Sequence, residues 1–349
     1  MTAISQASRH VTLVEVTRGN YVESVHAGSV AVVDTAGRLL HCAGDPECLT
    51  FTRSTIKPFQ AAPFIGGGGV HRFGFSSRDI ALLCASHSGE EVHVETVRAM
   101  LAKAGCIESQ LQCGCHLPLR YTLDALPPGG QVYSQVHNNC SGKHAGFLAY
   151  CVQRGLPIEG YLAPAHPLQR AVRRSVAAYA GLPEQDLQAG TDGCAAPNYA
   201  MPLSRLARAY ARLAEGSFDP PYETGEQTSP GATTVLRDAM MAHPELVSGT
   251  GRSDLAFMRT APGDWVAKVG AEGVQAIGSR RAGIGIAIKV ADGGTRALAT
   301  TAVAVLQQLG LLPDAAGSLL ASWVRPTLKS HTGLHSGEIR SVVRLVPPP

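Results

Sequence analysis

The stretch that decides the fold lies late in the chain, where residues 265–294 have the sequence WVAKVGAEGVQAIGSRRAGIGIAIKVADGG. Three short apolar segments, 265–269, 273–277 and 283–290, are separated by glycine and charged residues. This pattern predicts a meander of three strands. The turn residues of 292–294 then precede a segment with helical periodicity, 295–309.

The N-terminal part of the chain carries a similar strand pattern. Alternation and turn residues predict strands over 10–17 and 29–35, and the turn at 34–37 leads into a third apolar segment, 39–42. The middle of the chain has helical periodicity instead, over 54–65, 88–105, 142–154, 167–181, 203–215 and 233–242. Strands at both ends around a helical middle predict an α/β or α+β fold in which the terminal strands share one antiparallel sheet packed with helices.

We expect one domain over residues 1–349, since neither a repeat nor a linker-like composition divides the chain. Within it, the strand and helix patterns predict a sheet-containing subdomain of about 8–60 and 260–345 and a mostly helical subdomain of about 61–259.

Composition excludes several classes of protein. Charged residues make up 16% of the 349 residues and hydrophobic residues 45%, so the chain can bury a sizeable core. Glycine, proline or charge interrupts every apolar run before the roughly 18 residues of a membrane span, and the N-terminus lacks a secretory pattern. We therefore expect a cytoplasmic protein with no membrane partner. The net charge of +3, without a Lys/Arg run, gives no reason to expect a nucleic-acid partner.

The cysteine and lysine counts direct attention to particular positions. Nine cysteines cannot all pair within the chain, and we expect reduced thiols, metal ligands or core residues. Arginine stays charged in any protein environment, whereas a buried lysine can lose its proton and act as a base or ligand. The chain has six lysines against twenty-four arginines, so each lysine is a candidate base or ligand.

The first candidate site is Arg53-Ser54-Thr55-Ile56-Lys57-Pro58. Residues three apart on a helix are neighbours, so the Lys57 amine can reach the Ser54 hydroxyl and, when neutral, take its proton. The spacing alone is weak evidence, because a chain of this composition contains about 0.4 such pairs by chance.

The second candidate is Cys84-Ala85-Ser86-His87-Ser88-Gly89, a polar cluster between an apolar run and a helix. Active-site loops are often built this way. The alternative is that Ser88 caps the next helix, with Glu91 at capping-box spacing, and that Ser86 and His87 are solvated turn residues.

The third candidate is Lys268 on an apolar strand, followed by Gly270, which would let a ligand approach the backbone. The alternative is an edge-strand lysine that prevents aggregation. Together the three segments have the order Ser-x-x-Lys, Ser-x-Ser, Lys-x-Gly, which resembles the three boxes of class A β-lactamases and penicillin-binding proteins.

Two further segments combine metal-ligand side chains, Asn138-Asn139-Cys140-Ser141-Gly142-Lys143-His144 and Gly190-Thr191-Asp192-Gly193-Cys194. Their thiols, amine, imidazole and carboxylate could bind zinc, although the spacing matches no standard zinc finger and buried packing is the alternative for either cysteine. By spacing alone, Cys113-Gly114-Cys115-His116 is the better metal candidate.

Taken together, these segments resemble the inducible L-asparaginases of rhizobia, the asparaginase II family of the Rhizobium etli type. The similarity covers roughly residues 8–310. It implies a fold like that of serine β-lactamases and penicillin-binding proteins, a homodimer, and hydrolysis of L-asparagine to L-aspartate and ammonia.

Residue by residue, the resemblance implies two Ser–Lys tandems, Ser54 with Lys57 and Ser86 with Lys268. It also implies one zinc ion per chain bound by a set of three ligands: Cys140, Lys143 and Cys194. Asp192, His144, Arg53 and His87 are the positions expected to contact substrate or to support the site. This zinc site replaces the one that spacing alone favours at residues 113–116.

Our hypothesis is acyl transfer with Ser54 as nucleophile and Lys57 as its base, Ser86 and Lys268 passing a proton to the leaving ammonia. The role of zinc stays open between substrate positioning, loop bracing and Lewis-acid chemistry. Two alternatives are a penicillin-interacting serine hydrolase, such as a β-lactamase or DD-peptidase, and a non-catalytic metal- or ligand-binding protein of the same fold. Ser88 stands where β-lactamases have asparagine, which weakens the first alternative.

Overall fold

The structure is a computed structural model that describes residues 9–121, 126–221 and 231–348. Within these ranges, no helix combines the length and the apolar character that crossing a membrane requires.

The strands of the described ranges are β1 (Val11–Arg18), β2 (Tyr21–Asp34), β3 (Leu39–Ala43), β4 (Leu49–Phe51), β5 (Gln188–Thr191), β6 (Pro197–Pro202), β7 (Trp265–Gly270), β8 (Val274–Ser279), β9 (Ile284–Val290), β10 (Thr327–Lys329) and β11 (His335–Ser341). The main sheet has the order β10-β11-β1-β2-β9-β8-β7, and β3 pairs with the second half of β2. All of its pairings are antiparallel. Strands from both ends of the chain therefore share one sheet, as predicted.

The helices are α1 (Lys57–Gly66), α2 (Gly69–Phe73), α3 (Ser77–Leu83), α4 (Glu91–Lys103), α5 (Ser141–Arg154), α6 (Pro167–Ala180), α7 (Leu203–Glu215), α8 (Ala232–Ala242), α9 (Pro244–Val247), α10 (Ser253–Thr260), α11 (Thr295–Gln308) and α12 (Ala321–Val324). The predicted α+β class, an antiparallel sheet packed with helices, is confirmed.

Two glycines let α7 lie directly on the sheet. A Cβ atom on Gly285 would stand 1.9 Å from the carbonyl oxygen of Ala207, and one on Gly278 would stand 2.3 Å from that of Tyr210. Only glycine allows such close contact between strand and helix backbones. The remaining apolar residues of α7 are buried, and this packing fixes β7–β9 against the helical part of the chain.

A second, smaller sheet, β4-β6-β5, positions the segments that carry the candidate residues. The chain leaves β4 at Phe51 and enters the short 3₁₀ turn Arg53–Ile56 that precedes α1. Asn198 lies on β6, next to the point where β5 ends before Asp192. Residues 53 and 192, far apart in sequence, are thus brought together by strand pairing.

Several details differ from the sequence-based expectation. Strands β5, β6 and β11 and helices α3 and α10 are present where no element was predicted. The predicted capping box at Ser88 is wrong, because α4 begins at Glu91 and the Ser88 hydroxyl donates instead to the carbonyl of Ser248 (3.0 Å). The division into two subdomains stays a prediction.

Candidate active site

The backbone before Ser54 is held in a strained conformation. Arg53 has a φ of +49°, which non-glycine residues rarely adopt. The side chain of Asn198 fixes this conformation, since its Oδ1 accepts from the Arg53 N–H (3.0 Å) and its Nδ2 donates to the Arg53 carbonyl (3.0 Å). Strained residues of this kind are concentrated at functional sites, where they aim a neighbouring side chain.

Lys57, at the first position of α1, is buried with only 1% of its surface exposed. Its Nζ donates to the Ser86 hydroxyl (2.9 Å), to the carbonyl of Asn139 (3.4 Å) and to the carbonyl of Ala85. Three acceptors thus surround the three possible N–H directions of the amine. Lys57 is rigidly oriented towards Ser86.

The pairing of serines and lysines differs from the predicted one. Among the described residues, the Ser54 hydroxyl has no hydrogen-bond partner, and it points into a cleft that Ser86 also lines. Lys57 contacts Ser86 because its side chain turns inward to buried carbonyls, whereas Ser54 lies in the preceding 3₁₀ turn. Ser54, Lys57 and Ser86 still meet at one place, but Lys57 bridges to the second serine.

Lys268, on β7, is fully buried and pairs with Asp254. Its Nζ lies 3.3 Å from Asp254 Oδ2 and donates to the carbonyl of Val269 (2.9 Å). Burial is the main cause that lowers the pKa of Lys268, Asp254 opposes this shift and the nearby Lys57 adds to it, and the resulting pKa is about 8. A hydrogen bond between Lys268 and Ser86 is absent from the described part of the chain.

The cleft above these groups has a volume of about 470 Å³. It combines hydroxyl, amide and guanidinium groups with an apolar wall, and its lining includes Ser54, Ser86, Ser253, Asn139, Arg252, Leu119, Val269, Leu298 and Trp323. A small polar molecule can therefore contact both serines while an apolar surface excludes water on one side.

Asp192 and Arg53 form a link between the cleft region and the thiol cluster. Arg53 Nε donates to Asp192 Oδ1 (2.9 Å), and both side chains are largely shielded from solvent. Asp192 also accepts from the N–H of Gly193 (2.9 Å), directly before Cys194. The turn that carries Cys194 is thereby tied to the strained residue next to Ser54.

The proposed zinc ligands converge in the interior. Lys143 Nζ donates to Cys194 Sγ (2.9 Å), and the Cys140 thiol lies against that of Cys194. The Cys140 hydrogen bond is the largest influence that lowers the pKa of Cys194, with Lys143 acting in the same direction; the same contact, together with burial, raises the pKa of Cys140. Two cysteine sulfurs and a lysine amine therefore share one buried site.

The donor chemistry of this cluster suits zinc. Two sulfurs and a nitrogen are ligands that zinc prefers, and a fourth position would be left for water. The neighbouring His144 is buried, with Nδ1 bonded to the Tyr161 hydroxyl (2.7 Å) and Nε2 facing Cys194 without a hydrogen-bond partner among the described residues. A buried, unsatisfied imidazole nitrogen beside two thiols indicates a polar site with capacity for a further partner.

The described ranges contain no group of three or more His, Cys, Asp and Glu side chains that could hold a metal ion. Accordingly, the side chains of the alternative metal segment at residues 113–116 do not come together at one place. Cys113 is buried and donates to the carbonyl of Gln135, Cys115 is exposed, and His116 bonds to Leu117 and Asn139. Any site at Cys140 and Cys194 depends on Lys143 as the third ligand.

His87 lies behind the cleft and not in its lining. Its Nδ1 accepts from the N–H of Gly89 (3.1 Å), its Nε2 bonds to the Ser141 hydroxyl (2.8 Å), and its ring stacks on His93 at 5.0 Å. Burial holds the pKa of His87 well below its usual value. His87 is thus a neutral side chain that connects the Ser86 loop to α5, and contact with substrate is left to other residues.

Three residues of the site were not predicted from the sequence: Asn198, Arg252 and Asp254. Arg252 and Asp254 follow the run Gly249-Thr250-Gly251, a turn directly before a helix, and this polar turn was the signal available. Asn198 carries no comparable signal, because an asparagine between Pro197 and Tyr199 suggests an ordinary turn.

A family model described as L-asparaginase II matches residues 14–341 of this sequence. The chain belongs to the L-asparaginase II family. The match covers both sheets, the cleft and the thiol cluster. Membership of the L-asparaginase II family supports an amidohydrolase. None of the curated proteins matches the sequence.

Solved structures align with this family member at low similarity. Mglu in its native form is 18% identical over 84% of this chain, with a TM-score of 0.35, and this chain spans 65% of its length. A β-lactamase from Mycobacterium bovis is 17% identical over 80% of this chain and 94% of its own, with a TM-score of 0.39. A candidate β-lactamase from Bacteroides dorei is 15% identical over 80% and 93%, with a TM-score of 0.41. These values carry no argument about function.

Proposed function

We propose that the protein is an L-asparaginase of the Rhizobium etli type, which hydrolyses the side-chain amide of L-asparagine to L-aspartate and ammonia. The observation that carries the proposal is the arrangement at the cleft floor. The unpaired Ser54 hydroxyl lies there beside Ser86, and Ser86 is hydrogen-bonded to the buried Lys57. Nucleophile, proton carrier and base are the components of acyl transfer.

In the reacting form of the enzyme, Lys57 has released one of its three N–H protons to solvent. Ser54 Oγ attacks the amide carbon, and the proton of Ser54 passes to the free lone pair of this amine. Ser86, bonded to Lys57, carries a proton to the amide nitrogen, the C–N bond breaks and ammonia leaves. Water then attacks the ester on Ser54, its proton following the reverse route, and L-aspartate is released. The 2.9 Å hydrogen bond between Lys57 and Ser86 supports this relay.

Exposure and strain favour Ser54 over Ser86 as the nucleophile. Ser86 is 3% exposed and already accepts a hydrogen bond, whereas Ser54 is partly exposed and follows the strained Arg53. Backbone strain directly before a nucleophile keeps its hydroxyl aimed at the substrate at no further cost during the reaction.

The test of the proposed function is ammonia release from L-asparagine and L-glutamine by the purified protein. We expect turnover of L-asparagine and a lower kcat/KM for L-glutamine. Ammonia release at the background rate from both amides would refute the proposal, and nitrocefin hydrolysis in the same preparation would favour a penicillin-interacting enzyme.

The pH dependence of activity tests the role of Lys268. Since the pKa of Lys268 is about 8, the lysine is mostly charged at neutral pH and mostly neutral above it. If the neutral Lys268 amine takes part in the proton transfer in addition to Lys57, kcat/KM rises with pH and levels off above about 8. Asp254→Asn removes the charge that raises this pKa, so the rise is expected at lower pH. The measurement is a pH profile of kcat/KM for both proteins.

Asp264→Asn provides the matched control. Asp264 is a buried carboxylate that accepts from Ser279 and from the backbone of Arg281, and in the described structure it is bonded to neither Lys57 nor Lys268. Its replacement should leave the pH profile in place. If the rise of kcat/KM in Asp254→Asn occurred at higher pH than in the wild-type protein, or at the same pH, the rise could not be assigned to Lys268.

We also propose one zinc ion per chain, held by Cys140, Lys143 and Cys194, and a homodimer as the assembly. The convergence of two sulfurs and the Lys143 amine supports the metal site. Zinc bound there would supply a positive charge that positions the substrate or braces the loops. The reacting groups would still come from Ser54, Lys57 and Ser86.

Removal of the metal separates positioning from chemistry. Chelated protein is expected to show less than one-tenth of a zinc ion per chain by elemental analysis and an approximately tenfold higher KM, with kcat nearly unchanged. Adding zinc back should restore the zinc content and the KM. A loss of kcat in proportion to the lost metal would show instead that zinc takes part in the reaction.

A further inference from the structure

Arg252 lies in the cleft without a partner. It directly precedes α10 and lines the same cleft as Ser54 and Ser86. Among the described residues, its guanidinium forms neither a hydrogen bond nor an ion pair. Burial lowers its pKa, with Asp254 and Glu90 opposing the shift, but an arginine remains charged near neutral pH. A half-buried positive charge is thus presented to the cleft.

The loop that carries Arg252 is fixed in place. The Thr250 N–H donates to Glu90 Oε1 (2.8 Å), and the Thr250 hydroxyl bonds to Glu90 Oε2 (3.2 Å). Gly249 has a φ of +126° and packs so closely that a Cβ atom would stand 2.5 Å from the Ser88 hydroxyl. The unpaired guanidinium therefore extends from an ordered turn.

The nearby carboxylates are occupied by other groups. Asp254 accepts from the Val269 N–H (2.9 Å) and Gln275 (3.2 Å) and pairs with Lys268, while Glu90 binds Thr250. Of the described cleft-lining side chains, that of Arg252 is the one that carries a charge. The cleft consequently presents a guanidinium with free hydrogen-bond donors beside the two serines.

Two other shielded arginines, Arg53 and Arg237, are satisfied by the protein itself. Arg53 binds Asp192, and the buried Arg237 binds Asp238 and the carbonyl of Glu215. A guanidinium is shaped to bind a carboxylate through two parallel hydrogen bonds. Arg252 has this capacity free, and it lines the same cleft as the two serines.

We infer that Arg252 binds the α-carboxylate of the substrate and makes the cleft selective for amides of amino acids over simple amides. The inference rests on the proposed function, because it assigns the second end of an amide substrate whose first end lies at Ser54. In asparagine these two ends are separated by Cα and Cβ, so a compact cleft can hold both.

The test compares two substrates that differ only in this group, L-asparagine and 3-aminopropanamide, which lacks the α-carboxylate. Arg252→Gln should lower kcat/KM for L-asparagine about 100-fold, mainly through KM, as expected for losing one partner of a desolvated charge pair. The same variant should change kcat/KM for 3-aminopropanamide less than about threefold. Arg252→Lys should give an intermediate loss for L-asparagine.

Arg259→Gln is the matched control, since Arg259 lies on α10, the helix that Arg252 precedes, carries the same charge and faces Glu245 on the outside. It should leave kcat/KM unchanged for both substrates. Equal losses for both substrates in Arg252→Gln, or no loss for L-asparagine, would overturn the inference.

Binding of the product class provides a readout without catalysis. By calorimetry, wild-type protein should bind L-aspartate more tightly than β-alanine, and Arg252→Gln should remove that difference. Selective binding that depends on Arg252, in a wild-type protein that releases no ammonia from L-asparagine, would refute the proposed function and keep the carboxylate site. If the wild-type protein releases ammonia and Arg252→Gln still prefers L-aspartate to β-alanine, the proposed function stands and the carboxylate site at Arg252 is refuted.

Discussion

Ser54→Ala is expected to reduce ammonia release from L-asparagine by more than about 10³-fold, because loss of the attacking group leaves only binding and polar stabilisation. KM or product affinity should change little, since the hydroxyl contributes little to binding in the ground state. The Ser54 side chain has no hydrogen bond to lose in the described structure, so the fold and thermal stability should be retained. Steady-state kinetics of the purified variant measure the loss of activity, and its thermal unfolding measures the stability.

Ser253→Ala is the control for this experiment. Ser253 also places a hydroxyl in the cleft lining, at the start of α10. Its removal should cost less than about tenfold in kcat/KM. If Ser54→Ala retained more than a few per cent of wild-type turnover, and above all if Ser86→Ala abolished turnover while Ser54→Ala did not, Ser54 would not be the nucleophile.

Lys57→Met is expected to lower kcat about 10³-fold, within the range of general acid–base catalysis. Methionine has nearly the same shape but cannot donate to Ser86 or to the carbonyls of Ala85 and Asn139. In the double variant with Ser54→Ala, the two losses should not add, because the residues act on one proton transfer. Rates of single and double variants test this directly.

Lys103→Met controls for the loss of a lysine. Lys103 pairs with the buried Asp79, outside the cleft, so its replacement can lower stability but should leave kcat unchanged. If Lys57→Met retained near-wild-type kcat at every pH, the proton of Ser54 would have to leave by another route, and Lys268 would become the candidate base.

The sequence predicts the elements whose boundaries carry turn residues. The meander β7–β9 and helix α7 were predicted within two residues, because glycines and polar turns mark their ends. β11 was missed since its partly exposed, polar sequence lacks alternation, and β5 and β6 were missed since they flank the turn at Asp192. Their strand character comes from pairing with distant segments, which local sequence does not contain.

The site could be predicted as a set of residues but not as a set of contacts. Lys57 lies three residues after Ser54, and helix geometry alone would join them. The structure directs Lys57 to Ser86, because buried carbonyls of Ala85 and Asn139 attract its amine. The pairing of Lys268 with Asp254 depends in the same way on the packing of α10 against β7, which only the folded chain defines.

The most direct test of the account is the product formed from L-asparagine in the presence of hydroxylamine. If a serine ester forms on Ser54, hydroxylamine competes with water for it, and part of the product becomes β-aspartyl hydroxamate while ammonia release continues. We predict this hydroxamate with the wild-type protein and its loss in Ser54→Ala. Ammonia release with L-aspartate as the sole product would contradict the account, because water would then attack the amide without a covalent intermediate.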